Sequence, residues 1–314
     1  MPISIIELTD ETGEWEIPAN VTHADIFLVG GGGGAGGGGG GGGGYTGTWL
    51  DVKLDEVPGY HDGKIPFTVG RGGAGALAGS KANQTANSGG FTRFGNDDTY
   101  QVEGGLGGYH ANGNDIREGG DGGSGGGAGA STAQATGDGG SDGSDGGQGQ
   151  RGAGGAGQGT TTRAFGEAQG DLYAGGGAGG ALEVNASGGA GGGGDSGDPG
   201  QNGEDGKGGG GGGSRNIGSD SLPSARGGHG IILVRWGLLS FHGIILDKDG
   251  NPASRTITVL DSTGQCVVTG TSDPITGGYD IAIGSDDPYT LVFDGEPDRN
   301  AQVFANVIPG EPPE

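Results

Sequence analysis

Glycine recurs at every third position over two long stretches, and this register constrains the fold more than any other feature of the chain. From 188 to 212 the in-register residues are Gly188, Gly191, Gly194, Gly197, Gly200, Gly203, Gly206, Gly209 and Gly212. From 137 to 155 they are Gly137, Gly140, Gly143, Gly146, Gly149, Gly152 and Gly155. A three-residue period is that of a polyproline-II-type helix. Collagen shares the period, yet the longer stretch holds one proline, Pro199, and the register lapses at Gln158. Collagen-like chains carry about 15–20% proline or more, so a triple helix of such short pieces would be marginal. The other arrangement is polyglycine II, in which threefold helices pack side by side and glycine stands wherever one helix faces another. A helix with glycine on every face can be central, as expected for residues 36–44. A helix with glycine on one face can be peripheral, as expected for the triplets from Gly194-Asp195-Ser196 to Gly203-Glu204-Asp205.

Composition supports an ordered bundle without an ordinary core. Glycine accounts for 88 of 314 residues and hydrophobic residues for only 30%, too little apolar side chain to fill a core for this length. Ordering the backbone costs about 1–2 kcal/mol per residue, and more for glycine. The compensation must come from inter-helix N–H···O=C bonds, aided by weak Cα–H···O contacts. A flexible linker would need no such register. An unbroken helix of about 140 residues at about 3.1 Å per residue would exceed about 400 Å. The polar interruptions recur at short intervals, which suits reversals at the ends of a compact sandwich.

Around the glycine region the pattern is β. Short strands are expected at 3–8 and 24–29, at Leu50, Val52 and Leu54 by their alternation with Asp51 and Lys53, and at 64–69. Residues 231–236 close the region as a strand. From Leu238 onward composition is ordinary, with strand candidates at 241–246, 255–260, 266–270, 279–283, 289–293 and 303–307. Turn signals separate them, among them Asp249-Gly250-Asn251-Pro252, Ser262-Thr263-Gly264 and Thr276-Gly277-Gly278. The expected fold class is all-β with a polyglycine-II helix sandwich: short flanking strands, then a small antiparallel β-sandwich. The expected units are 1–237, 238–310 and a loose tail at 311–314. Trp15, Trp49 and Trp236 fall in strands and are expected in the core, as is Cys266.

Charge and motif content exclude several functions. The formal charge is −24, with 39 acidic against 15 basic residues, which disfavours nucleic acid and anionic membranes as partners. The single cysteine forbids an intrachain disulfide. The first residues carry neither a basic segment nor a long apolar run, so no secretory signal is expected, and no stretch approaches the roughly 20 apolar residues of a membrane span. Asp247-Lys248-Asp249-Gly250-Asn251 resembles the start of a calcium loop, but Pro252 and Thr258 stand where glycine and a carboxylate are needed. A hairpin turn is the better reading. The five histidines, at 23, 61, 110, 229 and 242, lack ligand spacing. No phosphate loop or serine–histidine–acid set stands out, and chance Gly-x-Gly-x-x-Gly matches carry no weight at this glycine content. The expectation is a protein without catalysis, cofactor or metal.

Contact chemistry is expected in the segments joining glycine runs, at 80–88, 109–118, 160–174, 181–187 and 214–226. Tyr109, His110, Phe165 and Tyr173 could stack on sugars or fill partner pockets, and Arg163 and Arg215 could bond anionic glycans. The competing reading is that these residues only cap the sandwich and shield backbone groups.

Trp15-Glu16-Ile17-Pro18-Ala19-Asn20-Val21-Thr22, Ile26-Phe27-Leu28-Val29-Gly30-Gly31-Gly32, Phe67-Thr68-Val69-Gly70-Arg71-Gly72-Gly73, Gly89-Gly90-Phe91-Thr92-Arg93-Phe94-Gly95 and the closing 227–236 form a set. As a set they resemble the glycine-rich domain of bacteriophage tail proteins, and they span most of residues 12–237. The chain is also similar to the polyglycine-II adhesins at the tips of tail fibres, which carry variable loops at one end. It departs from them in its leading β-segment and trailing sandwich. Residues 243–255 and 272–279 resemble carboxypeptidase-regulatory-like or Ig-like modules of fibre proteins, a name that implies no peptidase activity. These resemblances imply a tail fibre or tail-tip adhesin that binds a host receptor non-covalently, with a purely structural spacer, collar or decoration protein as the alternative. A non-viral polyglycine-II protein is a third class, and the acidic triplets argue against its ice-binding form. Implied partners are other virion tail proteins and a host surface glycan or outer-membrane protein, with a homotrimer as one candidate assembly. The implied location is the virion tail, assembled in the host cytoplasm.

Overall fold

The computed structural model describes residues 3–9, 11–19, 21–36, 38–77, 84–110, 118–129, 145–147, 162–167, 170–180, 186–214, 224–237, 239–247, 249–283, 289–294 and 302–307. Its strands, in chain order, are β1 (Ile3–Leu8), β2 (Thr12–Glu16), β3 (His23–Val29), β4 (Thr46–Lys53), β5 (Lys64–Thr68), β6 (Gln84–Thr85), β7 (Thr92–Phe94), β8 (Gln101–Val102), β9 (Tyr109–His110) and β10 (Ile231–Gly237). The C-terminal region adds β11 (Leu239–Ile244), β12 (Thr256–Leu260), β13 (Cys266–Thr271), β14 (Gly278–Ile283), β15 (Tyr289–Phe293) and β16 (Gln302–Val307). Among the described residues there is no α-helix, and the strand pairing is antiparallel.

Two sheets frame the N-terminal region, in the orders β1-β10-β3-β4 and β2-β5-β7-β8. Alternation decides what each face does. Ile26, Leu28, Ile232 and Val234 turn toward Trp15, Ile65, Phe67 and Phe94 of the second sheet and build the main core. Trp49 and Trp236 pack against it half-buried, as their strand positions lead one to expect. Phe27, Val29, Ile231 and Leu233 occupy the opposite face of the first sheet.

The alternation at Leu50, Val52 and Leu54 does not hold as expected. Val52 and Leu54 are buried, but Leu50 is 60% exposed. The register against β3 shifts between Ala24 and Ile26, and Asp51 takes a left-handed φ of 53°. Its amide donates to Asp25 Oδ1 at 2.9 Å. One extra residue on β4 therefore turns Leu50 outward.

Strands lead straight into glycine runs. Residues 30–36 follow β3, and residues 39–45 return to β4. Residues 70–76 follow β5, residues 86–90 precede β7, residues 103–109 follow β8, and residues 224–230 precede β10. Beyond the last strand pair the bonding pattern changes. Gly30, Gly33 and Gly36 donate to the carbonyls of Tyr45, Gly42 and Gly39 at 2.8–2.9 Å. Gly31 and Gly34 donate to Gly90 and Asn87, and Gly32 and Ala35 to Gly228 and Ala225. Every third amide thus meets the same neighbour, and three neighbours are served in rotation. Residues 40–45 repeat this: Gly40 and Gly43 reach Gly127 and Ser124, Gly41 and Gly44 reach Gly211 and Gly208, and Gly42 and Tyr45 reach Leu106 and Glu103.

Such close neighbours leave no room for side chains. A Cβ on Gly33 would fall within the van der Waals shell of the Leu106 carbonyl oxygen, and one on Gly200 would meet that of Gly212. Gly194, Gly197 and Gly203 are buried while Asp198, Pro199, Gln201 and Asn202 are exposed. The register expected for the 188–212 stretch holds in part: five of its nine glycines are buried, whereas Gly188, Gly191, Gly200 and Gly206 are half-buried, and Gly191 and Gly206 take left-handed φ of 98° and 77°. Ser196 is an exception: it is buried, and its Oγ accepts from the Ala186 amide at 2.7 Å. Most of the 137–155 stretch lies outside the described residues.

The C-terminal region is β-sandwich-like, with sheets β11-β14 and β13-β12-β15-β16. Phe241, Ile257, Val259, Ile281, Tyr289 and Leu291 form its core. The expected turns are present and share one device, an aspartate accepting downstream amides. Asp247 Oδ1 takes Asp249 and Asn251, Asp261 Oδ1 takes Thr263 and Gln265, and Asp273 Oδ1 takes Ile275 and Thr276, all at 2.8–2.9 Å. Cys266 is not buried as expected but exposed, because β13 is the edge strand of its sheet.

The register yields a stability prediction. Gly200→Ala should lower stability by about 1–3 kcal/mol, the usual consequence of forcing atoms into filled space. Gln201→Ala, one residue away and exposed, should be near neutral. Thermal melts of the two variants check this; equal melting temperatures would contradict it.

Candidate functional site

Residues 162–167 and 170–173 lie across the outer face of the first sheet. The chain closes on itself through the Tyr173 amide and the Thr162 carbonyl at 2.9 Å, and through an Arg163–Leu172 bridge. Between them Phe165 takes a left-handed φ of 57° in a short 3-10 turn. That conformation is unfavourable for a bulky side chain and is held here by packing. The Phe165 ring lies 6.3 Å from Phe27 and under the Arg235 guanidinium at 4.0 Å. Arg235 in turn bonds Asp25 through Nε at 3.0 Å and Nη2 at 2.7 Å, and also bonds Glu167. Tyr173 meets Phe27 edge-on at 5.1 Å and carries Lys207 Nζ 4.3 Å above its ring.

This geometry corrects the expectation that Phe165 and Tyr173 are exposed contact aromatics. They are 6% and 8% exposed and complete the second hydrophobic cluster. The apolar face of the first sheet needs a cover, and these rings supply it. Arg163 donates to the Gly170 carbonyl and so ties its own loop. Tyr109 is half-buried in β9, where it pairs with Thr85 of β6. The His110 side chain and the whole of Arg215 lie outside the described residues. Of the nominated residues whose side chains are described, Arg163, Phe165 and Tyr173 share one segment, whereas Tyr109 stands in β9.

A different group does converge. A cleft of about 430 Å³ opens where the end of β1, the segment 171–173, the turn at 204–208 and the residues before β10 meet. Its polar lining comes from Glu7, Thr9, Asp171, Tyr173, Asp205, Lys207 and His229. The turn is built on Gly206 and Gly208, with φ of 77° and 64°, values that favour glycine. Both their amides donate to the His229 carbonyl, at 3.0 and 2.9 Å, while the Lys207 carbonyl accepts from Ala174 at 2.8 Å. Backbone bonds thus hold the walls in place.

The charges around the cleft are mostly paired. Lys207 Nζ lies 2.8 Å from Asp171 Oδ2, and that bond holds the Asp171 carboxyl below its ordinary pKa. Arg226 grips Asp205 with two bonds, at 2.8 and 2.7 Å, and the His229 amide adds a third at 2.9 Å. The Arg226 bond is the main reason the Asp205 pKa falls to about 2. Burial pushes the Tyr173 hydroxyl above its ordinary value; Lys207 opposes this, and the charges of Asp171 and Glu7 add to it.

A glycine-rich domain family matches residues 8–237. The chain belongs to that glycine-rich domain family. The match ends where β10 ends and begins at the last residue of β1, so the glycine-rich domain contains the framing sheets apart from most of β1, and all of the cleft's polar lining except Glu7. No curated protein matches the sequence. Among the described residues of this glycine-rich protein, no His, Cys, Asp or Glu group could hold a metal ion. No described helix is long and apolar enough to cross a membrane. The cleft residues escape sequence reading because Gly206-Lys207-Gly208 looks like one more peripheral triplet. The available signal is the change at Lys207, where polar triplets give way to an all-glycine run.

The Asp205 pairing makes an acid-stability prediction. A carboxyl whose folded pKa lies below its unfolded value adds stability above the unfolded pKa and loses it as pH falls through the folded one. Asp205→Asn should therefore cost about 1 kcal/mol at pH 7, discounted for the partial exposure of the pair. The difference from the parent should close between about pH 4 and pH 2. Denaturant melts across that range check the slope; a pH-independent difference would contradict it.

Proposed function

We propose that the glycine runs form a polyglycine-II bundle mounted on the two β-sheets, and that the protein is a bacteriophage tail fibre or tail-tip adhesin. It binds a host surface receptor non-covalently and without catalysis. The observation that carries the bundle reading is the rotation of amide partners, with each third residue returning to the same neighbour along 30–36 and 40–45. A threefold extended helix has that repeat. The attachment reading draws support from the same architecture. Buried glycine runs offer no side chains, so recognition falls to the segments that join them, including 162–173 and the cleft beside it.

The acidic surface suits a particle part that must stay soluble and avoid nucleic acid. On this reading other virion tail proteins and a host glycan or outer-membrane protein are its partners, and the virion tail is its location. The C-terminal sandwich, an Ig-like or carboxypeptidase-regulatory-like module on this proposal, docks or spaces the bundle.

Purified full-length protein should bind susceptible cells and compete with adsorption of the parent phage. Incorporation into virions without any effect on adsorption would replace this reading with that of a structural spacer.

A further inference from the structure

We infer that the cleft between β1, Tyr173, the 204–208 turn and His229 is a binding site for a neutral polyhydroxylated ligand the size of one sugar ring. The inference gives a ligand class to the receptor-binding reading, on which it rests for the biological source of the sugar.

Size and rigidity come first. About 430 Å³ lies within the range of small-molecule sites, and a small ligand gains most from walls that need no ordering on binding. Here the walls are tied by backbone bonds among Ala174, Lys207, Gly206, Gly208 and His229.

Charge then selects the class. Lys207 is neutralised by Asp171, and Asp205 by Arg226. Glu7 is exposed and forms no ion pair among the described residues, which leaves the cleft slightly negative. A phosphate or a uronic acid would be repelled, within a chain whose formal charge is already −24.

The form of the aromatic side chain narrows the class further. Tyr173 has Phe27 against its ring and Lys207 over its face, so it offers no free platform for a flat aromatic ligand. The residues that line the cleft carry a mixed set of acceptors and donors: a carboxylate on Glu7, hydroxyls on Thr9 and Tyr173, and an imidazole on His229. A carboxylate beside hydroxyl donors suits adjacent hydroxyls on one ring, which donate and accept at close spacing. Ile231 supplies an apolar wall for the C–H face of such a ring.

The test uses the full-length protein and saturation-transfer NMR with methyl α-glucoside, methyl β-galactoside, N-acetylglucosamine, glucuronate and putrescine. At least one neutral sugar should receive saturation, at a Kd in the millimolar range expected of few hydrogen bonds, and glucuronate should not. Glu7→Gln and Tyr173→Phe each preserve shape; either should weaken that sugar by about tenfold, the scale of losing one hydrogen bond to a charged or buried partner. Unchanged melting temperatures would show that the variants fold. Transfer to putrescine or glucuronate but to no neutral sugar would overturn the inference, as would silence from every probe or undiminished sugar binding in a folded double variant. Because free sugars and isolated protein are used, a failure here leaves the adsorption result standing, and a failure of adsorption leaves this one standing.

Discussion

Everything in the N-terminal region depends on amide-to-carbonyl bonds made between glycine runs. A strand bonds to two neighbours in one plane, and a helix bonds to itself. Residues 30–36 and 40–45 do neither: each amide in turn reaches a different neighbour, and the fourth returns to the first. Each such bond adds only about 0.5–1.5 kcal/mol net, so order requires many of them and no interruption by side chains. That requirement explains why a Cβ at Gly33, Gly41 or Gly200 would strike backbone atoms directly. It also explains how so glycine-rich a chain orders without a large apolar core.

The framing sheets solve the problem of register. Isolated extended runs could slide past one another by three residues with little change in bonding. Anchoring run 30–36 to β3, run 39–45 to β4, and runs 70–76, 86–90, 103–109 and 224–230 to their own strands removes that freedom. The strand register is in turn held by the core of Trp15, Ile26, Leu28, Phe94 and Val234, where a slip would turn apolar residues outward. A small conventional core thus positions a much larger backbone-bonded body.

The scarce cations serve as ties across segments distant in sequence. Arg235 joins β10 to Asp25 of β3 and to Glu167, Arg226 joins the 224–230 run to Asp205, Lys207 reaches Asp171, and Arg71 reaches Glu11. Two of them also cover aromatic rings, Arg235 on Phe165 and Lys207 on Tyr173. These contacts dock residues 162–167 and 170–173 on the sheet and give the cleft its walls.

The sequence by itself determined β1, β3, β5 and β10 of the framing though not β7 and β8, the C-terminal strands and turns, and the burial of five of the nine in-register glycines of 188–212. Those follow from local rules: alternation, turn chemistry and the space a Cβ demands. It pointed correctly to Trp15 as core but misjudged Leu50, where a bulge invisible in the pattern reverses the facing, and Cys266, whose exposure follows from an edge position that strand order alone decides. Phe165 and Tyr173 looked like contact residues because they sit in polar loops. Only the tertiary structure showed that the outer face of the first sheet needs a cover and that these rings provide it. The cleft was equally out of reach of sequence reading. Glu7, Tyr173, Asp205 and His229 are separated by long stretches whose lengths carry no spacing signal. They meet because glycine runs reverse direction beside β1 and β10, and which run lies next to which is settled by backbone bonding that no side chain encodes.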